Sequence, residues 1–386
     1  MAVYNIFPEK DTFIWSQYPT QNMGMDEILE VSTYNDPSTV DNLSLIPSVT
    51  RAIVKFPQSQ IDYVIDNIIN EHTSSHGTTP YTASFQLFLA NASALSQTYT
   101  LECYAVSESW TMGTGRLADL PITTNGASWK YNRALDTNDQ WVTSSFQANV
   151  TASDNGLQRG GANWFITPRS SQSFDYTSNK DTNFNVTEIV KNWHSHSIHG
   201  GITEAFGNEG FIVKYTGSQE FNTASIQQLS FFSMDTHTIY PPQLQFKWDD
   251  SSYNIGGGTV ISTVSQSILT IGNNQTEIQE TDVYRFRIYC RDQFPARSFQ
   301  TSSVYLNNKF LPTSSYWALK DLKTEEIVVD FDTNNTKVSA DPTSNYFDVY
   351  MNGLEPERYY QIMIKTIIGA QTLVFENPGN YFKLVR

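Results

Sequence analysis

The stretch Asn185-Val-Thr-Glu-Ile-Val-Lys-Asn-Trp193, followed after a polar loop by Asn208-Glu-Gly-Phe-Ile-Val-Lys214, carries the reading of the fold. Val186, Ile189, Val190 and Trp193 recur at i, i+3, i+4 and i+7, the spacing that gathers one apolar stripe on a short helix. Asn185 stands where it can cap the first turn, and Glu188 where it can close a capping box. Gly210-Phe-Ile-Val-Lys214 then reads as a strand returning beneath that helix. A helix docked by Trp193 on a strand-rich core is an assembly element, and nothing in it performs chemistry.

Outward from this point the chain alternates short apolar segments with turn clusters. Residues 11 to 56 read as strands separated by turns such as Asn35-Asp-Pro-Ser38. Ile61, Val64, Ile65, Ile68 and Ile69 give a second helical stripe, with Pro57 before it, Ser59 as the expected N-cap and His72-Thr-Ser-Ser-His-Gly-Thr-Thr-Pro80 ending it. Ser84–Ala90 and Tyr99–Val106 read as further strands, the second with a clear period of two. Residues 111 to 180 are polar, rich in Gly and Trp, and weakly periodic, which predicts long loops.

The order of these segments resembles DNRLRE-type β-sandwich modules of bacterial surface and phage virion proteins. The helix-and-strand stretch above is similar to their closing half. Lys10-Asp-Thr-Phe-Ile-Trp-Ser-Gln-Tyr-Pro-Thr-Gln-Asn-Met-Gly24 and Glu27-Ile-Leu-Glu-Val31 resemble the opening strands and their turn, and Arg51-Ala-Ile-Val-Lys-Phe56 resembles the next strand. Ser107-Glu-Ser-Trp-Thr-Met-Gly-Thr-Gly115, Gly126-Ala-Ser-Trp129 and Gly160-Gly-Ala-Asn-Trp164 match the Trp-centred and paired-glycine segments. The resemblance covers roughly residues 8 to 250. The run from Ser230 to Asp250 is similar to the final strands of virion structural proteins of large marine tailed phages. It implies a jelly-roll-like sandwich with one or two short helices, and a place in a particle.

A chain of 386 residues suggests more than one domain. Seven of the eight tryptophans and all six histidines precede Asp249, and Ser251-Ser-Tyr-Asn-Ile-Gly-Gly-Gly258 reads as a flexible connector. The expected division is a first sandwich over 1–250, a linker over 251–258 and a second all-β unit over 259–386. In that unit Tyr284-Arg-Phe-Arg-Ile-Tyr-Cys-Arg291 alternates. Leu354, Pro356 and Tyr360 have the spacing of the tyrosine corner of immunoglobulin- and fibronectin-like sandwiches, in which the phenol ties its strand to the preceding turn.

Charge and cysteine use narrow the function. With 24 basic against 39 acidic residues and a net charge of −15, the chain lacks the basic face that phosphate contacts require, so nucleic acid is not an expected partner. No apolar run has the length of a membrane span. Met1-Ala-Val-Tyr-Asn-Ile-Phe-Pro8 lacks the basic and apolar parts of a signal peptide, and Cys103 and Cys290 fall on opposite sides of the expected boundary. Two free, buried thiols in a protein made in the host cytoplasm are therefore expected, with the sequons at Asn91 and Asn149 unused.

Three groups invite a reading as sites. His194, His196 and His199 are dense enough for a metal, but no acidic or thiol partner accompanies them at a recognised spacing, so exposed loop histidines are expected. Trp110, Trp129 and Trp164 belong to the family-like segments and read as framework; Trp141, less tied to them, is the candidate for stacking on a sugar ring, set against core packing as the simpler reading. Asp235, Asp249, Asp250, Asp330 and Asp332 read as solvated charge, because strand neighbours face opposite ways and no further acid or base accompanies the one same-face pair. No phosphate loop, nucleophile elbow or Cys-His arrangement occurs. The expectation is a non-enzymatic virion structural protein without cofactor or metal, acting in assembly or attachment at tail, neck or baseplate. Its partners would be other virion proteins and copies of itself. The alternative is a carbohydrate-binding adhesin that grips host surface glycan.

Overall fold

A computed structural model describes residues 2–35, 47–69, 80–93, 95, 98–141, 160–175, 177–200, 205–220, 227–263, 267–294 and 309–386. The expected turn at 36–38, the end of the second helix at 72–79 and the sequon at 149 lie outside these residues. The chain is an all-β protein of sandwich type. It divides into two compact units, one made of Ile6–Asn67 and Thr82–Gln245, the other of Met1–Asn5, Ile68–Tyr81 and Phe246–Arg386. The expected boundary at residue 250 thus has its counterpart at Gln245, and the described residues at the amino terminus group with the later unit.

In the first unit the strand Pro47–Lys55 is the hinge of the sheet arrangement. Its first residues pair with Ile28–Asn35, and from Thr50 onward it lies between Lys10–Trp15 and Phe211–Tyr215. Thr98–Val106 continues the sheet from Phe211–Tyr215, and Trp164–Asp175 closes it; on the other side Ile28–Asn35 leads to Gln227–Phe232 and Leu89–Ser93. Val49, Ala52, Ile53 and Val54 are fully buried, as expected of a strand covered on both faces. The strand Trp164–Asp175 corrects the expectation of loop throughout 111–180. It is an edge strand, so only Trp164 and Phe174 are buried and Pro168 is tolerated. That exposure erased the periodic signal.

The helix announced by Trp193 runs over Thr187–Ile198, longer than its apolar stripe. Val186, Ile189, Val190 and Trp193 are all buried, and the Trp193 ring lies 4.6 Å from that of Phe211 on the returning strand. Asn185 Oδ1 accepts from Thr187 N at 3.2 Å and from Thr187 Oγ1 at 2.7 Å; Glu188 instead pairs with Lys191 at 2.8 Å, leaving no capping box. The Ile-rich helix is α-helical over Gln58–Tyr63 and widens to a π-helix over Val64–Ile69. Pro57 occupies its N-cap and Ser59 makes no capping bond. The two helices are tied by Ser197 Oγ to Asp62 Oδ2 at 2.6 Å and by His194 Nε2 to Asp66 Oδ1 at 3.0 Å.

The second unit packs two sheets face to face. One holds Thr259–Val260, Lys309–Phe310, Val283–Asp292, Asn345–Tyr350 and Ser339–Ala340, with Ser267–Gly272 on Val283–Asp292; the other holds Glu277–Gln279, Gln371–Val385, Tyr359–Ile368, Ser315–Asp321 and Ile327–Val329. Trp317 of one sheet stacks on Phe347 of the other at 5.0 Å, and Phe286 meets Phe382 at 5.4 Å, so aromatic rings fill the space between layers. Tyr360 donates its hydroxyl to Glu355 O at 2.9 Å, the tie predicted from its spacing. The 251–258 segment is not a free linker: Asn254 N donates to Ala340 O at 2.9 Å, Ala340 N to Ser252 O at 2.8 Å, and the Tyr253 hydroxyl to Leu311 O at 2.6 Å. Its glycines supplied the expectation, while Tyr253 supplies the anchor. Cys103 and Cys290 are free and buried.

Candidate functional site

The family-like segments converge on two buried knots in the first unit. At the first, Asn22 holds the Trp-centred loop: its Nδ2 donates to Met112 O at 2.7 Å and Ala127 O at 2.8 Å, and its Oδ1 accepts from Gly115 N at 2.8 Å. Gly113, at φ +77°, presses so closely on the Asn22 amide that a Cβ there would overlap it. Trp110, Trp129, Trp141 and Trp164 pack with Ile14, Ile53 and Ile212 in one cluster beside this staple.

The second knot is ionic. Arg51 Nε and Nη2 donate to Glu220 Oε1 and Oε2 at 2.7 and 3.0 Å, and Arg51 Nη1 donates to Gly161 O. Lys214 Nζ reaches Glu220 Oε2 at 3.1 Å and Tyr215 O at 2.7 Å. The guanidinium carbon lies 4.9 Å from the Trp129 ring centre and 5.1 Å from that of Trp164, so two indoles cover the cation. Gly161, at φ +85°, leaves room that any Cβ would take from Arg51. Burial alone would raise the Glu220 carboxyl, but the Arg51 and Lys214 charges outweigh it and hold it below its ordinary value. Glu102 extends this knot: its Oε2 lies 4.0 Å from Lys214 Nζ, and its Oε1 accepts from Arg169 Nη1 at 3.1 Å.

A buried carboxyl stands apart from these pairs. Asp11 Oδ2 accepts from Met234 N at 2.7 Å, while Oδ1 has no hydrogen-bond partner among the described residues. Burial pushes its pKa to about 8; the Met234 N–H opposes the rise and the Asp235 charge adds to it. Asp235 is itself raised, chiefly by burial.

The sequence candidates fall as follows. Trp141 is 4% exposed and its Nε1 donates to Ser128 O at 2.9 Å, so it is framework and offers no stacking face. The irregular backbone around it gave no period from which burial could be read. His194 and His196 lie on the helix itself, with His196 Nδ1 2.8 Å from Ala205 O, and His199 follows it, correcting their expected place in a loop. Among the described residues, no three His, Cys, Asp or Glu side chains gather as metal ligands. Asp332 Oδ1 accepts from Asn334 N and Asn335 N at 2.7 and 3.0 Å, and Asp249 pairs with Lys337 at 3.3 Å. These acids organise turns.

The Arg51–Glu220–Lys214 knot escaped the sequence reading, although a signal for it was there. Arg51 and Lys214 adjoin the apolar runs Ala52-Ile-Val54 and Phe211-Ile-Val213, and a charge in a buried strand demands a partner. The same holds for the tip of the Asn22-held loop, where Leu120 is 92% and Ile122 49% exposed. Its base is fixed: Asp119 Oδ2 accepts from Arg116 N at 2.8 Å and Thr123 Oγ1 at 2.7 Å, and Asp26 Oδ2 accepts from Leu117 N at 2.9 Å. No family model matches this chain, and no curated protein is found as a relative of it.

Proposed function

We propose that the chain is a non-enzymatic virion structural protein of a tailed phage that works through contact surfaces at tail, neck or baseplate. The observation that carries this reading is the Leu120-Pro121-Ile122 tip. An apolar tip held in solvent on a hydrogen-bonded base is ordered before it binds, so contact with a neighbouring protein costs little further entropy, and its large side chains suit the centre of an interface. The resemblance described above supplies the kind of particle. The internal use of Arg51, Glu220, Lys214 and Asn22 supports a framework role, because these groups stabilise the sandwich and face no reactant. Other virion proteins and copies of this chain are the partners proposed. The alternative of a glycan-gripping adhesin loses Trp141 as its stacking residue.

Leu120→Asp combined with Ile122→Asp tests the reading, since Leu120 is almost wholly and Ile122 half exposed. In a phage carrying the double variant, the protein should accumulate folded and fall away from purified particles. Incorporation at the wild-type level would remove the tip from the account.

A further inference from the structure

The last strand of the second unit, Gln371–Val385, is paired unevenly. One edge runs along Tyr359–Ile368. The other is met by Glu277–Gln279 at Lys383, Leu384 and Val385, and Asn274 Nδ2 reaches Gly379 O and Tyr381 O at 3.5 and 3.3 Å. Over residues 371–376 that edge has no strand beside it among the described residues. The free stretch ends at the turn at Gly369 and Ala370 on one side, and on the other at residues 377–380, where the register with Tyr359–Ile368 shifts. Leu373 is 38% and Val374 44% exposed. Leu373 and Phe375 share the sheet face that turns Ile364 to the core; Phe375 packs against that core, and Leu373 is left at its open side.

We infer that residues 371–376 take the same strand of a second copy of this chain, in an antiparallel pair about a two-fold axis. An open row of N–H and C=O groups is completed by an extended backbone, so the occupant is a strand. Charge selects a copy as its source. The chain carries −15, yet no charged residue occurs from Thr366 to Phe375, so this edge can meet itself without setting acid against acid. A two-fold axis at Leu373 places Leu373 on Leu373, Thr372 on Val374 and Gln371 on Phe375; an axis at Val374 places Val374 on Val374 and Leu373 on Phe375. Glu376 then meets Ala370 or Thr372, and like charges oppose each other in neither register. The edge strand Trp164–Asp175 is protected against such pairing by Pro168, Arg169 and Asp175. Residues 371–375 have no such guard. The strand of the copy would cover Leu373, and a two-fold contact closes on itself instead of growing into a fibre. A strip this short is small against the roughly 1,200–2,000 Å² of a lasting interface, so the free dimer is weak. The pairing gives the contact between copies proposed above a place on the chain, and rests on that reading only for its use in a particle.

The test is sedimentation velocity of the purified full chain from about 1 μM to about 500 μM, which needs no particle, so this pairing and the particle reading can fail separately. The wild type should pass from monomer to dimer within that range. Val374→Lys and Val374→Glu, each alone, should weaken the dimer by about tenfold, because like charges then face one another across the axis. An equal mixture of the two variants should associate again, now with opposite charges facing. If either variant does not fold, hydrogen exchange of the wild type at the two ends of the range decides: the amides of residues 371–376 should be protected at the high concentration and exposed at the low one. A wild type that stays monomeric throughout, a dimer that Val374→Lys leaves unchanged, a mixture that associates no better than its parts, or exchange at residues 371–376 that ignores concentration would overturn the inference.

Discussion

The Glu220 carboxylate receives Arg51 Nε and Nη2 at 2.7 and 3.0 Å, with both side chains 1% exposed and 169 positions apart in the chain. A two-point ion pair so deep pays a large desolvation cost and repays it through geometry, through the Lys214 contact and through the two covering indoles.

Removing one member should therefore hurt more than removing the pair. Glu220→Ala leaves Arg51 without its carboxylate and Lys214 with only that of Glu102, whose Oε2 lies at 4.0 Å, and should destabilise the first unit by about 3–5 kcal/mol in chemical denaturation. The double variant Arg51→Met with Glu220→Leu should recover much of that loss. The pair also sets a pH limit. A carboxylate held below its ordinary value stabilises the fold above that value, and the stabilisation is lost as falling pH protonates it in the folded state.

Asp11 works in the opposite sense. Its folded pKa is raised from 3.8 to about 8, so the folded chain keeps a proton that the unfolded chain releases. Its contribution is full below the unfolded value and declines as pH rises toward the folded one. Denaturation midpoints of Asp11→Asn against wild type, compared at about pH 5 and about pH 9, should shift in favour of the variant at the higher pH. A difference that stays constant would mean that Asp11 is ionised in the fold throughout.

Trp193 is fully buried, and its Nε1 has no hydrogen-bond partner among the described residues, so its contribution is packing. Trp193→Ala should cost about 3–5 kcal/mol, measured by urea titration, with Trp193→Phe costing less. A fully stable alanine variant would refute the anchor.

Tyr360 tests the tie of the second sandwich. Tyr360→Phe deletes only the bond to Glu355 O and should cost about 0.5–1.5 kcal/mol. A neutral outcome in thermal unfolding would show that water replaces the hydroxyl there.

Local spacing explains which of these features could be read from the sequence. Val186 to Trp193 and Leu354 to Tyr360 declare themselves within a few residues, because a helix turn and a strand corner fix which side chains meet. Arg51 and Glu220 do not, since only the closing of the whole sheet brings them together. Trp141 can be named from sequence only as a stacking candidate set against core packing, because an indole in an irregular segment declares neither until its Nε1 finds Ser128 O. The helix through His194 and His196 outran its apolar stripe, since Ser and His neither continue the stripe nor stop the helix. Leu120 and Ile122 stand out only once the loop beneath them is seen to be fixed.

The proposal of a particle component rests on one measurement above others. If the chain is such a component, virions of its phage, purified, dissociated into head and tail fractions and quantified by mass spectrometry, should contain it at a fixed ratio to one structural neighbour, with the Leu120→Asp, Ile122→Asp chain depleted from the same fraction. Its absence from every particle fraction, while the folded protein is abundant in the lysate, would contradict the account.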